Sequence, residues 1–320
     1  MLSLRDIQDA AGRIGPFVAR TPVLSSPALD ERAGRSVWLK VESQQITGSF
    51  KLRGATNALA SLSPEQRANG VVTYSSGNHA QGIARAARLH DVPATIVMPH
   101  DAPALKRAAA EKDGATIVGY DRYQGDRAAI AEDLAATTGA TIVPPFDYYP
   151  VMAGQGTVAL ELLDEVPDLT GFVAPVGGGG LLAGCATVVA ALQPDTTIIG
   201  VEPAAGDDHR RSRQAGERVD IGVPETIADG QQINIPGALT WPINNRLVAD
   251  FVTVTDDEIV ETMRLLYTAT GLVVEPSGAT ALAAVLQREL DLGERVGVVL
   301  SGGNITADRF AELTGEAPPR

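Results

Sequence analysis

Along most of the chain, short apolar runs alternate with stretches of helical pattern. Residues 71–74, 95–98, 116–118, 141–143, 172–176, 197–201 and 295–300 are rich in β-branched side chains and carry little polar alternation. That pattern predicts strands buried on both faces. Between them, residues 79–89, 103–112, 126–137, 158–163 and 181–192 predict helices, and the opening MLSLRDIQDAAGRI predicts an amphipathic helix charged at Arg5, Asp6 and Asp9. Strand–helix alternation predicts parallel sheets covered on both faces. The strands fall into two groups, one from 71 to 143 and one after 172, with Pro144, Pro145, Asp147 and Pro150 breaking regular structure between them. The expected fold is therefore α/β, with two lobes and a ligand cleft between them. No fixed-period repeat or low-complexity linker interrupts the pattern, and residues 315–320 read as a loose end.

The net charge of −13 over 320 residues excludes a nucleic-acid footprint and argues against an anionic membrane surface. No apolar stretch is long enough to span a bilayer, and the N-terminus lacks the continuous apolar core of a signal peptide. The single cysteine, Cys185, sits in an apolar run, which excludes an internal disulfide and fits a buried side chain in a reducing compartment. A cytoplasmic location is expected.

Four segments carry side chains suited to a site rather than to packing: 47–54 (TGSFKLRG), 75–82 (SSGNHAQG), 177–184 (GGGGLLAG) and 301–304 (SGGN). Four consecutive glycines between a strand and a helix expose backbone N–H groups at a positive helix end, a cradle for a phosphate. Read as Gly178-x-Gly180-x-x-Ala183 with Glu202 about 20 residues on, the same run also fits a dinucleotide site, so a nicotinamide oxidoreductase stays open. A non-catalytic amino-acid-binding protein stays open as well. Lys51 is one of only four lysines and lies among Gly48, Ser49, Phe50 and Gly54. Alone it reads as a surface lysine, but desolvation there would free its amine to attack an aldehyde. A phosphate cradle, a reactive lysine and a hydroxyl at Ser301 together suit pyridoxal phosphate better than a nicotinamide cofactor.

In order along nearly the whole chain, RTPVLSS, GSFKLRGATNAL, SSGNHAQGIA, AGQGTVALEL, PVGGGGLLAG, GVEPAAGDD, ETIADG, VVEPSGA and VVLSGGN resemble the fold-type II pyridoxal phosphate enzymes of the serine/threonine dehydratase and serine racemase family. The resemblance implies two three-layer α/β/α lobes with mostly parallel sheets and the cofactor between them. It implies a large domain of residues 1–65 and 148–320, with a small domain, 66–147, inserted in it. Lys51 would hold the cofactor covalently beside Phe50 and move the substrate's α-proton. Gly177, Gly178, Gly179, Gly180 and Leu181 would bind the phosphate, Asn78 the ring hydroxyl and Ser301 the pyridine nitrogen. Ser75, Ser76, Gly77 and His79 would surround the substrate carboxylate, with Ser76 also matching the racemases' second acid/base. By itself His79, a lone histidine beginning a helix, reads as a capping or packing group more often than as a base.

The resemblance further implies a divalent cation (Mg2+, Ca2+ or Mn2+) on Glu202, Gly206 and Asp208, and a homodimer. Histidines 90, 100 and 209 carry no assigned role. Arg127 matches an arginine that reaches a substrate-like carboxylate, although its position also suits a solvated arginine beside Arg122 and Asp126. The implied reaction is α,β-elimination from a small hydroxy amino acid, L-threonine or L-serine, giving a keto acid and ammonia. Serine racemisation and dehydration of threo-3-hydroxyaspartate are the alternatives, the latter gaining if Arg127 enters the cleft. PPFDYY (144–149) lacks the histidine and asparagine that racemases carry nearby, which counts against racemisation. Residues 231–246 take no role from the resemblance. The chain ends shortly after SGGN, so no isoleucine-sensing regulatory domain is expected.

Overall fold

The computed structural model describes residues 1–102, 104–121 and 123–318. Among the described residues, ten strands form two sheets: β1 (Val23–Leu24), β2 (Ser36–Val41), β3 (Val71–Tyr74), β4 (Ala94–Pro99), β5 (Thr116–Tyr120), β6 (Thr141–Ile142), β7 (Gly171–Pro175), β8 (Thr197–Pro203), β9 (Asp250–Val254) and β10 (Arg295–Leu300). The larger sheet has the order β1-β2-β10-β7-β8-β9, parallel except for the β1–β2 pair. The smaller, β5-β4-β3-β6, is parallel throughout.

Alternation along each central strand builds two cores on the larger sheet. Phe172, Ala174, Ile198 and Val299 face one, with the helices Tyr149–Glu165 and Gly180–Leu192; Val173, Ile199, Val201, Val296, Val298 and Leu300 face the other, with Asp256–Thr270 and Pro276–Gln287. Helices Asn78–His90 and Ala104–Lys112 cover one face of the smaller sheet, while Ala131 of Arg127–Thr138 packs on Val72 and Val97 on the other. Both sheets are thus the middle layer of an α/β/α stack, as expected.

The predicted helices recur with shifts at their ends. Asp126 is the N-cap of Arg127–Thr138, its carboxylate accepting from the amides of Ala128 and Ala129. Pro103, the expected first residue of the next helix upstream, lies outside the described residues, as do Arg122 and residues 319–320 of the expected loose end. The expectation of a short helix at 158–163 is corrected to Tyr149–Glu165. Pro150 does not break it, because a proline in the first turn has no hydrogen bond to lose. Gly154 does not weaken it either: a Cβ there would meet the Arg53 carbonyl at 2.5 Å, so the glycine is where Tyr149–Glu165 closes on Lys51–Ala60. Among the described residues, no helix is long and apolar enough to cross a membrane.

Candidate active site

The four segments singled out by their chemistry meet in one cleft between the carboxyl ends of β7 and β10 in the larger sheet and of β3 in the smaller. Open parallel sheets bind ligands at that edge, because helices there present free N–H groups. Phe50, Lys51, Ser75, Ser76, Gly77, Asn78, His79, Arg127, Leu181, Ser301 and all four glycines of the run line it.

Lys51 opens the helix Lys51–Ala60, and its Nζ donates to the Pro145 carbonyl at 2.8 Å. The strand-like residues before it are tied to the SGGN loop: Ser49 bridges Gly302, and the Phe50 and Gly303 amides donate to Ser301 and Gly48. Burial pulls the Lys51 amine down to about 8, only partly opposed by the carboxylate of Glu275. A larger fraction is therefore unprotonated at neutral pH than for an exposed lysine near 10.4. His79, buried beneath, is pushed down to about 3 by desolvation and by Lys51, and is neutral. Its Nε2 lies 3.1 Å from the Val143 carbonyl and must carry the ring proton. His79 thus lines the cleft with its one N–H already engaged.

The glycine turn is gripped from behind. Gly179 has φ +92°, a left-handed conformation that a side chain would strain, and a Cβ there would come 2.5 Å from Asn244 Nδ2 and 2.9 Å from His209 Nε2. Thr240 Oγ1 donates to Gly178 O at 2.6 Å and Asn244 Nδ2 to Gly179 O at 3.1 Å. With those carbonyls engaged, the N–H groups opening helix Gly180–Leu192 are the ones left for an anion. Asp147 holds Thr240 and Asn244 in place, because its carboxylate accepts from the amides of Ala238, Leu239 and Thr240 at the start of helix Thr240–Leu247. Gln231 braces the strand ends, donating to Val176 O and Val201 O. Sequence reasoning gave 231–246 no role and read Asp147 as a breaker; nothing local marks residues that act through contacts with distant parts of the chain.

Asn78 is locked on both ends: its Nδ2 donates to Glu275 Oε1 at 2.6 Å and its Oδ1 accepts from Asn304 at 2.7 Å. Glu275, from VVEPSGA, also lines the cleft and was likewise unassigned. Ser301 is buried and donates to Ser277 O at 3.2 Å. Arg127 is an exposed residue that also lines the cleft, its guanidinium 5.8 Å from the centre of the Tyr74 ring.

The acidic loop lies behind the turn. Glu202, at the end of β8, accepts from the amides of His209 and Arg210 at 2.8 and 3.0 Å, and Asp208 opens the helix Asp208–Ala215. Gly206 sits in the bend between them. The dinucleotide reading fails here: Glu202 is fully buried and capped by these amides, out of reach of a ribose. His209, which took no role from the sequence, belongs to the same buried cluster. It is fully buried, with Nδ1 3.6 Å from Glu202 and 3.5 Å from Asp208. Burial works against its charge, but the two carboxylates outweigh it and raise its pKa to about 9.

Residues 14–302 match the family described as pyridoxal-phosphate dependent enzyme. The L-threo-3-hydroxyaspartate ammonia-lyase of Saccharomyces cerevisiae is 48% identical over 309 residues, covering 96% of this chain and 95% of that one. The serine racemase of Schizosaccharomyces pombe is 41% identical, covering 96% of each. The solved structure of a threonine deaminase from T.th. superposes with a TM-score of 0.89 at 44% identity, covering 95% of this chain and 99% of that one. A lysine amine recessed beside an anion cradle, and likeness of this order along the whole length, agree: the chain belongs to the fold-type II pyridoxal-phosphate-dependent enzymes, among their ammonia-lyases and racemases.

Proposed function

We propose that the protein is an ammonia-lyase for a 3-hydroxy amino acid with a second carboxylate, converting L-threo-3-hydroxyaspartate to oxaloacetate and ammonia. The observation that carries this is Arg127 in the cleft, its guanidinium against Tyr74. Threonine and serine, the substrates expected first, have no second carboxylate for that cation once the α-carboxylate is bound elsewhere. The two relatives that share 48% identity bear the name of the acidic-substrate enzyme.

In this reading Lys51 holds pyridoxal phosphate, and the amides of 177–181 take its phosphate. Asn78 faces the ring hydroxyl and Ser301 the ring nitrogen. When bound, the cofactor supplies the electron sink that lets the α-proton leave. Ser75, Ser76 and Gly77, ahead of helix Asn78–His90, receive the α-carboxylate on backbone N–H groups. Lys51 takes the α-proton, its depressed pKa suiting a base near neutrality. Loss of the β-hydroxyl as water follows, and hydrolysis of the released enamine gives the keto acid and ammonia. Ser76 is the acid/base residue on the other side of the substrate.

Glu202, Gly206 and Asp208 are read as a structural cation site. Asp208 fits that role, since both of its carboxylate oxygens are buried without a hydrogen-bond partner among the described residues. A homodimer in the cytoplasm completes the reading, and sedimentation as a monomer would remove the first part of it.

The test is keto-acid release from L-threo-3-hydroxyaspartate, L-threonine and L-serine by the wild type and Arg127→Met. A hydrogen bond to a charged group contributes about 1.5–3 kcal/mol. The variant is thus expected to lose roughly 10- to 150-fold in kcat/KM on hydroxyaspartate, with little change on serine. Preference for threonine, or equal losses on all three substrates, defeats the acidic-substrate reading.

A further inference from the structure

The carboxylates of Glu202 and Asp208 and the Nδ1 of His209 all lie within 4.8 Å of one another, and all three residues are fully buried. Two donors bound to a single ion at about 2.1–2.4 Å each can be no further apart than about 4.8 Å. A buried imidazolium that merely paired with the carboxylates would close to about 2.7–2.9 Å. Here Nδ1 stays 3.5 and 3.6 Å from its neighbours and, like both Asp208 oxygens, has no hydrogen-bond partner among the described residues. The ring cannot readily withdraw that edge. Phe251 and Trp241 pack against it with centroids 5.2 and 6.1 Å away, while Asn244 Nδ2, 3.5 Å from Nε2, is too distant to assign the ring proton.

We infer that His209 supplies a nitrogen ligand, through Nδ1, to the cation held by Glu202 and Asp208. An imidazole in the set shifts a hard oxygen site toward ions such as Co2+ or Zn2+ and away from Mg2+ and Ca2+, while Mn2+, which accepts oxygen ligands, serves as the paramagnetic probe. The inference rests on the cation-site reading above and goes beyond it in naming the ligand and the metal class.

The experiment is pulsed electron paramagnetic resonance on chelator-treated, cofactor-loaded protein given one equivalent of Mn2+. The expected result is one bound Mn2+ per chain with the 14N modulation of a directly bound imidazole. In His209→Gln that modulation is lost and Mn2+ affinity falls roughly 10- to 100-fold, with cofactor absorbance retained. Labelling the four histidines with 15N leaves the protein unaltered and must convert the coupling to 15N, so the test stands even if the variant does not fold. Bound Mn2+ with oxygen couplings alone overturns the assignment of His209 while leaving a cation on the acidic pair. No bound Mn2+ at all overturns both.

Discussion

Arg53 has no exposed surface and sits two residues beyond Lys51 on the same helix. Its guanidinium donates to both oxygens of Glu42 at 2.8 Å and to both oxygens of Glu161 at 2.7 and 2.8 Å. Lys40, also fully buried, holds Glu161 at 2.7 Å and the Thr21 carbonyl at 2.6 Å. The network therefore balances two cations against two carboxylates and fastens the lysine helix to residues 19–21, to the turn at Glu42 and to helix Tyr149–Glu165. Replacing Arg53 with methionine keeps the apolar stem but strips Glu42 of its counterion, while Glu161 retains Lys40. Breaking a buried pair from one side costs about 3–5 kcal/mol, a large part of the roughly 5–15 kcal/mol that keeps a domain folded. Removing both charges is far milder, so the double variant Arg53→Met, Glu42→Leu is expected to regain at least about half of that loss. Urea unfolding of the cofactor-saturated proteins at pH 7, followed by circular dichroism, measures both. A single variant within about 1 kcal/mol of wild type, or a double variant less stable than the single, would show that the network is not an obligatory buried balance.

Two further outcomes follow from the site. The Lys51 amine, lowered by burial to about 8, attacks only when unprotonated, so capture of pyridoxal phosphate by cofactor-free protein is expected to quicken as pH rises and to level off above 8. Stopped-flow absorbance reads it, and a rate still climbing tenfold per unit beyond pH 9 would mean an unperturbed lysine. Gly179→Ala places a Cβ 2.5 Å from Asn244 Nδ2 at a φ of +92°, so cofactor affinity is expected to fall at least about tenfold with helix content unchanged. An unaltered dissociation constant, measured by fluorescence titration, would remove the turn from the phosphate site.

The sequence discloses strands that form apolar runs, including the half-exposed β5 and β6, and hides those interrupted by charge. β7 and β10 are almost wholly buried and read as apolar runs. β2 contains Lys40, whose charge looks like surface until Glu161 is seen against it, and the edge strand β9 carries Asp250 and Thr253 on opposite faces. Pro276, Ser277 and Gly278 look like a loop, yet they begin a helix, with the proline in its first turn. At the site, the glycines, serines and lone lysine that face the cleft were legible, because in apolar company they have few other uses there, whereas Glu275 and Gln231, which also line it, were not. Those that hold them were not. Asp147 acts on 238–240, Thr240 and Asn244 on the glycine turn, and His209 on Glu202 and Asp208, pairings that only the folded chain brings about.

The stretch that joins β6 to helix Tyr149–Glu165 is a wall of the site as well as a connector. Its Pro145 receives the Lys51 amine, its Phe146 ring lies where a Cβ on Gly178 would have to go, and its Asp147 caps the helix behind the turn. Any shift of the smaller sheet that bends this stretch would be felt at Lys51 and at the glycine turn together. The placement of the smaller sheet and the walls around Lys51 and the glycine turn are therefore coupled through these three residues.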